Sequence, residues 1–157
     1  MDKAIFAAGC FWGVEAAFRK VKGVANTTVG YTGGHTKHPS YKDVCTATTG
    51  HAEAVLVEYD PEQVSYDQLL EFFFAFHDPT TLNRQGPDYG HQYRSAIFYR
   101  DDQQRDKSIT IKEKLDKEGR FKNPIVTEIT QASEFYRAEE YHQQYFEKKG
   151  ILGGCHF

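Results

Sequence analysis

The stretch Ala4-Ile5-Phe6-Ala7-Ala8-Gly9-Cys10-Phe11-Trp12-Gly13-Val14-Glu15 changes its hydrophobic period partway along, and that change predicts how the chain begins to fold. Residues 4–8 are an unbroken apolar run, the pattern of a short buried strand. Beyond them apolar residues recur at Phe11, Val14, Phe18 and Val21, the spacing of one helix face. Cys10 is therefore expected where strand gives way to helix. A thiol there faces unpaired backbone N–H groups and the positive end of the helix dipole, and both favour thiolate. Gly9 and Gly13 remove side chains on either side, so another molecule can approach the sulfur closely. Phe11 and Trp12, two large aromatics at an exposed junction, suit the lining of a small apolar pocket. Placement alone leaves a reactive and a structural thiol equally open, because cysteine is among the most buried residue types.

Further along, Lys22-Gly23 reads as a helix stop and residues 24–31 as a second strand. Gly33-Gly34 breaks that strand, and Pro39-Ser40 opens a short helix reaching about Cys45. Residues 51–59 alternate, with Glu53, Val55 and Val57 on one face and Ala52, Ala54 and Leu56 on the other. Such a strand is central and covered on both sides. Glu53 is then a carboxyl in apolar surroundings, where it must be neutral or paired. A partner in Arg94 or Arg100 is as compatible with the residues as a catalytic role.

After the turn at Asp60-Pro61, Ser65 and Gln68 form a capping-box pattern for a helix over 66–77, whose phenylalanines read as core. Residues 78–93 are polar and rich in proline and glycine, a long connection of the kind that usually carries function. They include Asp88, Tyr89, His91, Gln92 and Tyr93. A strand over 94–100, a helix over 101–118 and a strand over 125–129 follow. Residues 133–149 are expected to contain a last helical stretch, and a glycine-rich, flexible tail, 150–157, carries Cys155. Strand, helix, strand, strand, helix, strand is the ferredoxin-like split βαβ arrangement, here with an extra helix and strand. The expectation is an α+β two-layer sandwich forming one catalytic domain over 1–157.

The formal charge of −3 gives no reason to expect nucleic acid or a membrane surface as partner. No apolar stretch is long enough for a membrane span, and no signal-peptide pattern precedes Cys10, so a cytoplasmic protein is expected. Three cysteines without a close pair argue against a disulfide framework. In a reducing compartment such cysteines are catalytic or metal-binding, and any disulfide is transient. His35, His51, His77 and His91 lack metal-ligand spacing. A nucleophile on rigid structure with a second thiol, Cys155, on a mobile segment is the layout of a thiol oxidoreductase with a resolving cysteine.

The string Gly9-Cys10-Phe11-Trp12-Gly13-Val14-Glu15 closely resembles the signature of the A-type peptide methionine sulfoxide reductases. Gly30-Tyr31-Thr32-Gly33-Gly34-His35-Thr36, with Pro39-Ser40-Tyr41 and Val44-Cys45, resembles the family's second block, and Thr49-Gly50-His51-Ala52-Glu53-Ala54-Val55 its third. His77-Asp78-Pro79 and the run from Arg84 to Ser95 resemble its fourth. The resemblance implies that Cys10 attacks the sulfur of methionine-S-sulfoxide, free or in oxidised proteins, while Phe11 and Trp12 hold its methyl group. Glu53 corresponds to the acid, with Tyr41, Tyr93 and Asp88 as polar neighbours. Cys155 would resolve the sulfenic acid to a disulfide, which thioredoxin would reduce, with no metal or other cofactor; a monomer is expected, because such an enzyme must admit exposed residues of damaged proteins. Lys37-His38 departs from the Pro-Asn-like pair more usual before Pro39, and the tail holds one cysteine where some relatives have two, so a single resolving step is expected. Two other readings stay open. One is a cysteine hydrolase or acyltransferase with His51 or His91 as base. The other is a non-enzymatic peptide-binding or redox-sensing module.

Overall fold

The computed structural model describes residues 1–149. The chain runs β1 (Asp2–Ala8), α1 (Phe11–Arg19), β2 (Val24–Thr32), α2 (Tyr41–Cys45), β3 (Ala52–Tyr59) and α3 (Tyr66–Phe76). A small hairpin follows, β4 (Arg84–Gln85) with β5 (Asp88–Tyr89), and then β6 (Ser95–Tyr99), α4 (Asp102–Lys117), β7 (Glu128–Gln131), β8 (Tyr136–Arg137) and α5 (Tyr145–Lys148). The main sheet has the order β7-β6-β1-β3-β2-β8. Its inner four strands, β6-β1-β3-β2, are mutually antiparallel and are the split βαβ core, while α4 returns the chain to place β7 parallel to β6. The expected α+β architecture with an extra helix and strand is the one observed.

The period-2 pattern of β3 explains its place beside β1. Val55 and Val57 face the helices, joining Phe6, Val14, Phe18, Leu69 and Phe73 in the larger core. Phe6 stacks on Phe18 at 5.0 Å and on Phe73 at 5.2 Å. Ala52 and Ala54 face the other way with Ile5, Ala96 and Phe98, covered by Ala132 and Phe135. The expected Ser65–Gln68 capping box forms, and Ser40 with Asp43 makes a second, so each polar start fixes a helix N-terminus locally.

Two expectations need correction. The strand expected over 125–129 lies at Glu128–Gln131, because Ile125 N–H donates to the Asp116 carboxylate and Val126 N–H to the Pro79 carbonyl. Those bonds tie the segment to α4 and to the long loop before it can pair with β6. Residues 133–149 contain little α-helix. They form the edge strand β8, a 3₁₀ turn at Glu140–His142, and the four-residue α5 after a left-handed break at Gln144 (φ 53). The long-range bonds described below override the local helical pattern.

His77, 5% exposed, closes α3 against β6. Its Nδ1–H donates to the Phe73 carbonyl, so Nε2 accepts from Ser95 Oγ at 2.8 Å, and Ser95 Oγ in turn lies 2.8 Å from Thr127 Oγ1. Burial pushes His77 down to about 4, against the raising effects of the Phe73 carbonyl and Asp78. The unfolded chain binds this proton first, so stability should fall as pH drops from about 6.5 toward 4, by about 3 kcal/mol in all. Urea unfolding at intervals across that window should show a steeper loss in wild type than in His77→Gln; parallel curves would remove His77 from the acid sensitivity.

Candidate active site

Gly9 at φ 104 makes the turn from β1 into α1, a conformation that side-chain-bearing residues rarely adopt. Cys10 follows as the N-cap of α1, its carbonyl accepting from the Gly13 and Val14 N–H groups at 3.2 Å. Its side chain makes no capping bond and is partly exposed. The N–H of Phe11, the first helical donor, instead runs to Glu53 Oε1 at 3.1 Å. Glu53 reaches that position because β3 pairs antiparallel with β2, opposite Tyr31, and presents its odd-numbered residues to α1.

Glu53 is 1% exposed, and its Oε2 is buried with no hydrogen-bond partner among the described residues. Burial holds its carboxyl well above the usual carboxylate range. The Cys10 thiolate charge and, more weakly, Asp88 push it the same way, against the Phe11 N–H. Neither suggested arginine partner is there: Arg94 lies 3.6 Å from Glu128 and donates to the His91 carbonyl, and Arg100 is exposed. The carboxyl is therefore kept by environment rather than by an ion pair. An ionised Glu53 and an ionised Cys10 repel each other, so the two groups favour sharing a single proton.

Tyr41 on α2 and Tyr93, in the 3₁₀ turn His91–Tyr93, both feel the Glu53 charge. Burial, then Glu53, raises both phenols, so they stay protonated and able to donate. Asp88, half-buried on β5, acts on both Glu53 and Tyr93. Cys45, at the end of α2, is exposed and interacts with the Tyr41 phenol. Burial raises its thiol, with the Tyr41 contact opposing. Cys10, Glu53, Tyr41, and the pair Asp88 and Tyr93 from one loop segment thus come together from four separate parts of the chain.

The two aromatics after the thiol have different surroundings. Phe11 is fully buried among Tyr31 (5.7 Å), Tyr41 (6.4 Å) and His142 (5.2 Å), because it shares the sheet-facing helix stripe with Val14 and Phe18. Trp12, one position around the helix, keeps exposed surface. Its Nε1–H donates to His142 Nδ1 at 2.9 Å, and Tyr145 stacks on it at 3.8 Å and 8°. Glu139 accepts from the Tyr31 hydroxyl at 2.8 Å and from the Tyr41 N–H at 2.9 Å. Sequence reading singled out none of Glu139, His142 and Tyr145. The one available signal was the density of polar and aromatic side chains in Glu139-Glu140-Tyr141-His142-Gln143-Gln144-Tyr145, which equally suits a solvated helix.

His51 is occupied elsewhere. Its Nδ1 accepts from the Gly34 N–H at 3.0 Å and its Nε2–H donates to the Thr36 carbonyl at 2.6 Å, which pins the loop after β2. A Cβ on Gly34 would lie 2.3 Å from the His51 backbone nitrogen, so that pairing needs glycine. His91 is exposed, and Cys155, with the rest of 150–157, lies outside the described residues. No helix among the described residues is long and apolar enough to cross a membrane.

The family model for peptide methionine sulfoxide reductase matches residues 2–157. A peptide methionine sulfoxide reductase MsrA of Methanosarcina mazei is 64% identical over 152 residues, covering 97% of this chain and 72% of the relative. Among solved structures, Mxr1 from Saccharomyces cerevisiae in reduced form superposes with a TM-score of 0.91 at 39% identity, covering 98% of this chain and 88% of that one. The same yeast protein in complex with Trx2 matches at TM-score 0.66 and 30% identity, over 92% and 84% of the two chains. The full-length family match, the high identity and the shared fold together place the chain in the peptide methionine sulfoxide reductase family.

Proposed function

We propose that the chain reduces methionine-S-sulfoxide, free and within oxidised proteins, with Cys10 as nucleophile, Glu53 as general acid and Cys155 as resolving thiol. The observation that carries this reading is the Glu53 carboxyl: fully buried, held above its usual range, bonded through Oε1 to the residue after the thiol, with Oε2 unpartnered among the described residues. A sulfoxide oxygen is a poor leaving group until it is protonated. A neutral carboxylic acid beside the nucleophile supplies that proton near neutral pH. Tyr41 and Tyr93, kept protonated, donate to the same oxygen as charge grows on it. Trp12 forms the methyl pocket with Phe11 behind it, and Asp88 helps keep Glu53 protonated.

The Cys10 sulfur bonds to the sulfoxide sulfur as the oxygen takes the Glu53 proton. Collapse of that adduct releases methionine and leaves Cys10 as sulfenic acid, carrying the oxygen. The Cys155 thiol then displaces that oxygen as water, giving a Cys10–Cys155 disulfide. A dithiol protein of the thioredoxin kind reduces it by exchange, a reading supported by the complex of the yeast homologue with Trx2. This cycle needs no metal or organic cofactor. A monomer suits it, since exposed residues of damaged proteins must reach Cys10.

The test is a single-turnover thiol count on reduced full-length protein with excess methionine-S-sulfoxide and no reductant. The expected result is two thiols lost per methionine formed, with a Cys10–Cys155 disulfide on peptide mapping. Cys155→Ser should give one turnover and stall with thioredoxin. Neither methionine nor thiol loss in wild type would return the reading to a binding module or to a different cysteine chemistry.

A further inference from the structure

His142 is 0% exposed and caged by rings, with Phe11 at 5.2 Å, Trp12 at 5.6 Å, Tyr41 at 4.4 Å and Tyr141 at 4.0 Å. An indole N–H only donates, so at 2.9 Å His142 Nδ1 is the acceptor. The neutral ring then carries its proton on Nε2, which is buried and has no hydrogen-bond partner among the described residues. Among the described residues the one polar contact of this side chain is therefore to Trp12. The segment bearing it is anchored independently of the site. Gln143 bonds to both the N–H and the carbonyl of Val29 at 2.9 Å, and Gln144 N–H donates to the buried Glu15 at 2.7 Å. Tyr145 closes one face of the same indole. The edge and one face of Trp12 are thus held by a segment remote in sequence, itself clamped to β2 and α1.

We propose that His142 is the positioning residue for Trp12: as a neutral Nδ1 acceptor it fixes the indole as a wall of the sulfoxide's methyl pocket, and its protonation releases that wall. The inference rests on the reading of Trp12 as a pocket residue. Phe11 and Trp12 face His142 from α1, Tyr41 from α2, and Tyr141 and Glu139 from its own segment. Of these only Glu139 carries charge, and it favours the imidazolium, while burial, the larger effect, disfavours it. Protonation turns Nδ1 from acceptor to donor, opposite an indole that can only donate. The pocket wall should then loosen while Cys10 and Glu53, held by other bonds, stay in place.

Trp12 is the only tryptophan in the chain, so indole emission reports the surroundings of this one side chain. In the reduced full-length protein, emission followed downward from about pH 8 until the protein unfolds should show a one-proton step below the ordinary histidine range in wild type. That step should be absent in His142→Asn, whose Oδ1 accepts from the indole without titrating. With dithiothreitol as reductant and free methionine-S-sulfoxide as substrate, His142→Leu should raise KM roughly three- to tenfold with a smaller change in kcat. His142→Asn should recover most of that loss, which a purely structural role would not predict. The proposal is overturned by the same emission step in His142→Asn, or by KM and emission unchanged in His142→Leu. It is also overturned by His142→Asn being as impaired as His142→Leu. Should His142→Leu fail to fold, the wild-type and His142→Asn titrations decide. Wild-type protein that reduces no sulfoxide would sink the functional reading, while the emission titration would still decide the His142–Trp12 contact.

Discussion

Cys10→Ser should form no methionine above reagent background under any thiol reductant, a loss of at least a thousandfold on the precedent of nucleophile removal elsewhere. A serine hydroxyl at the same N-cap keeps the turn from β1 into α1, and hydroxyl-bearing residues are favoured caps, so folding should survive. What disappears is the atom that changes oxidation state, because serine cannot take up the sulfoxide oxygen and give it back as water. Methionine release by chromatography is the measurement, with Trp12 emission as the check on folding. Thiol-driven turnover persisting in this variant would move the nucleophile to Cys45, the other cysteine among the described residues.

Glu53→Gln should slow sulfoxide reduction by roughly a hundred- to ten-thousandfold, the usual worth of a general acid. The amide can still accept the Phe11 N–H through its oxygen, so the geometry of the helix start is kept while the transferable proton is lost. The pH dependence distinguishes this from a packing effect. Because the folded carboxyl is raised above its unfolded value, wild-type activity should decline as pH climbs through that raised value. The variant should lack that decline. Stability follows the same sign. The contribution of protonated Glu53 is fully present below the ordinary carboxylate range and lost as pH rises through the folded value. Above that value Glu53→Gln should be the more stable protein, and the two should converge near about pH 4. Urea midpoints measured on both sides check this. A variant that is less stable at high pH and nearly as active would take Glu53 out of the acid role.

The difference between Phe11 and Trp12 shows where local sequence stops being informative. Both are large aromatics beside a thiol, and adjacency suggested that both line the pocket. The helix period places Phe11 in line with Val14 and Phe18, but only the sheet beneath α1 makes that stripe the buried one. Residues 138–145 show the same limit more strongly. Their own pattern suits a solvated helix, yet Gln143 is bonded to Val29, Glu139 to Tyr31 and Tyr41, and His142 to Trp12. These partners are about a hundred residues or more away. No window along the chain contains both halves of any of these contacts.

By itself the sequence determined whatever depends on neighbours within a turn or a strand. The switch of period at Gly9 and Cys10 set the first strand and helix, Pro39-Ser40 and the Ser65–Gln68 capping box set the starts of α2 and α3, and the alternation of β3 put Glu53 on one face with Val55 and Val57. It also carried the motif blocks that identify the family. The tertiary structure alone decided the protonation of Glu53, the burial of Phe11, the commitment of His51 to a loop and the clamp on Trp12. The physical reason is the same in each case. Desolvation and hydrogen-bond partnership are properties of what surrounds a group in space, and here the surroundings come from strands and loops distant along the chain.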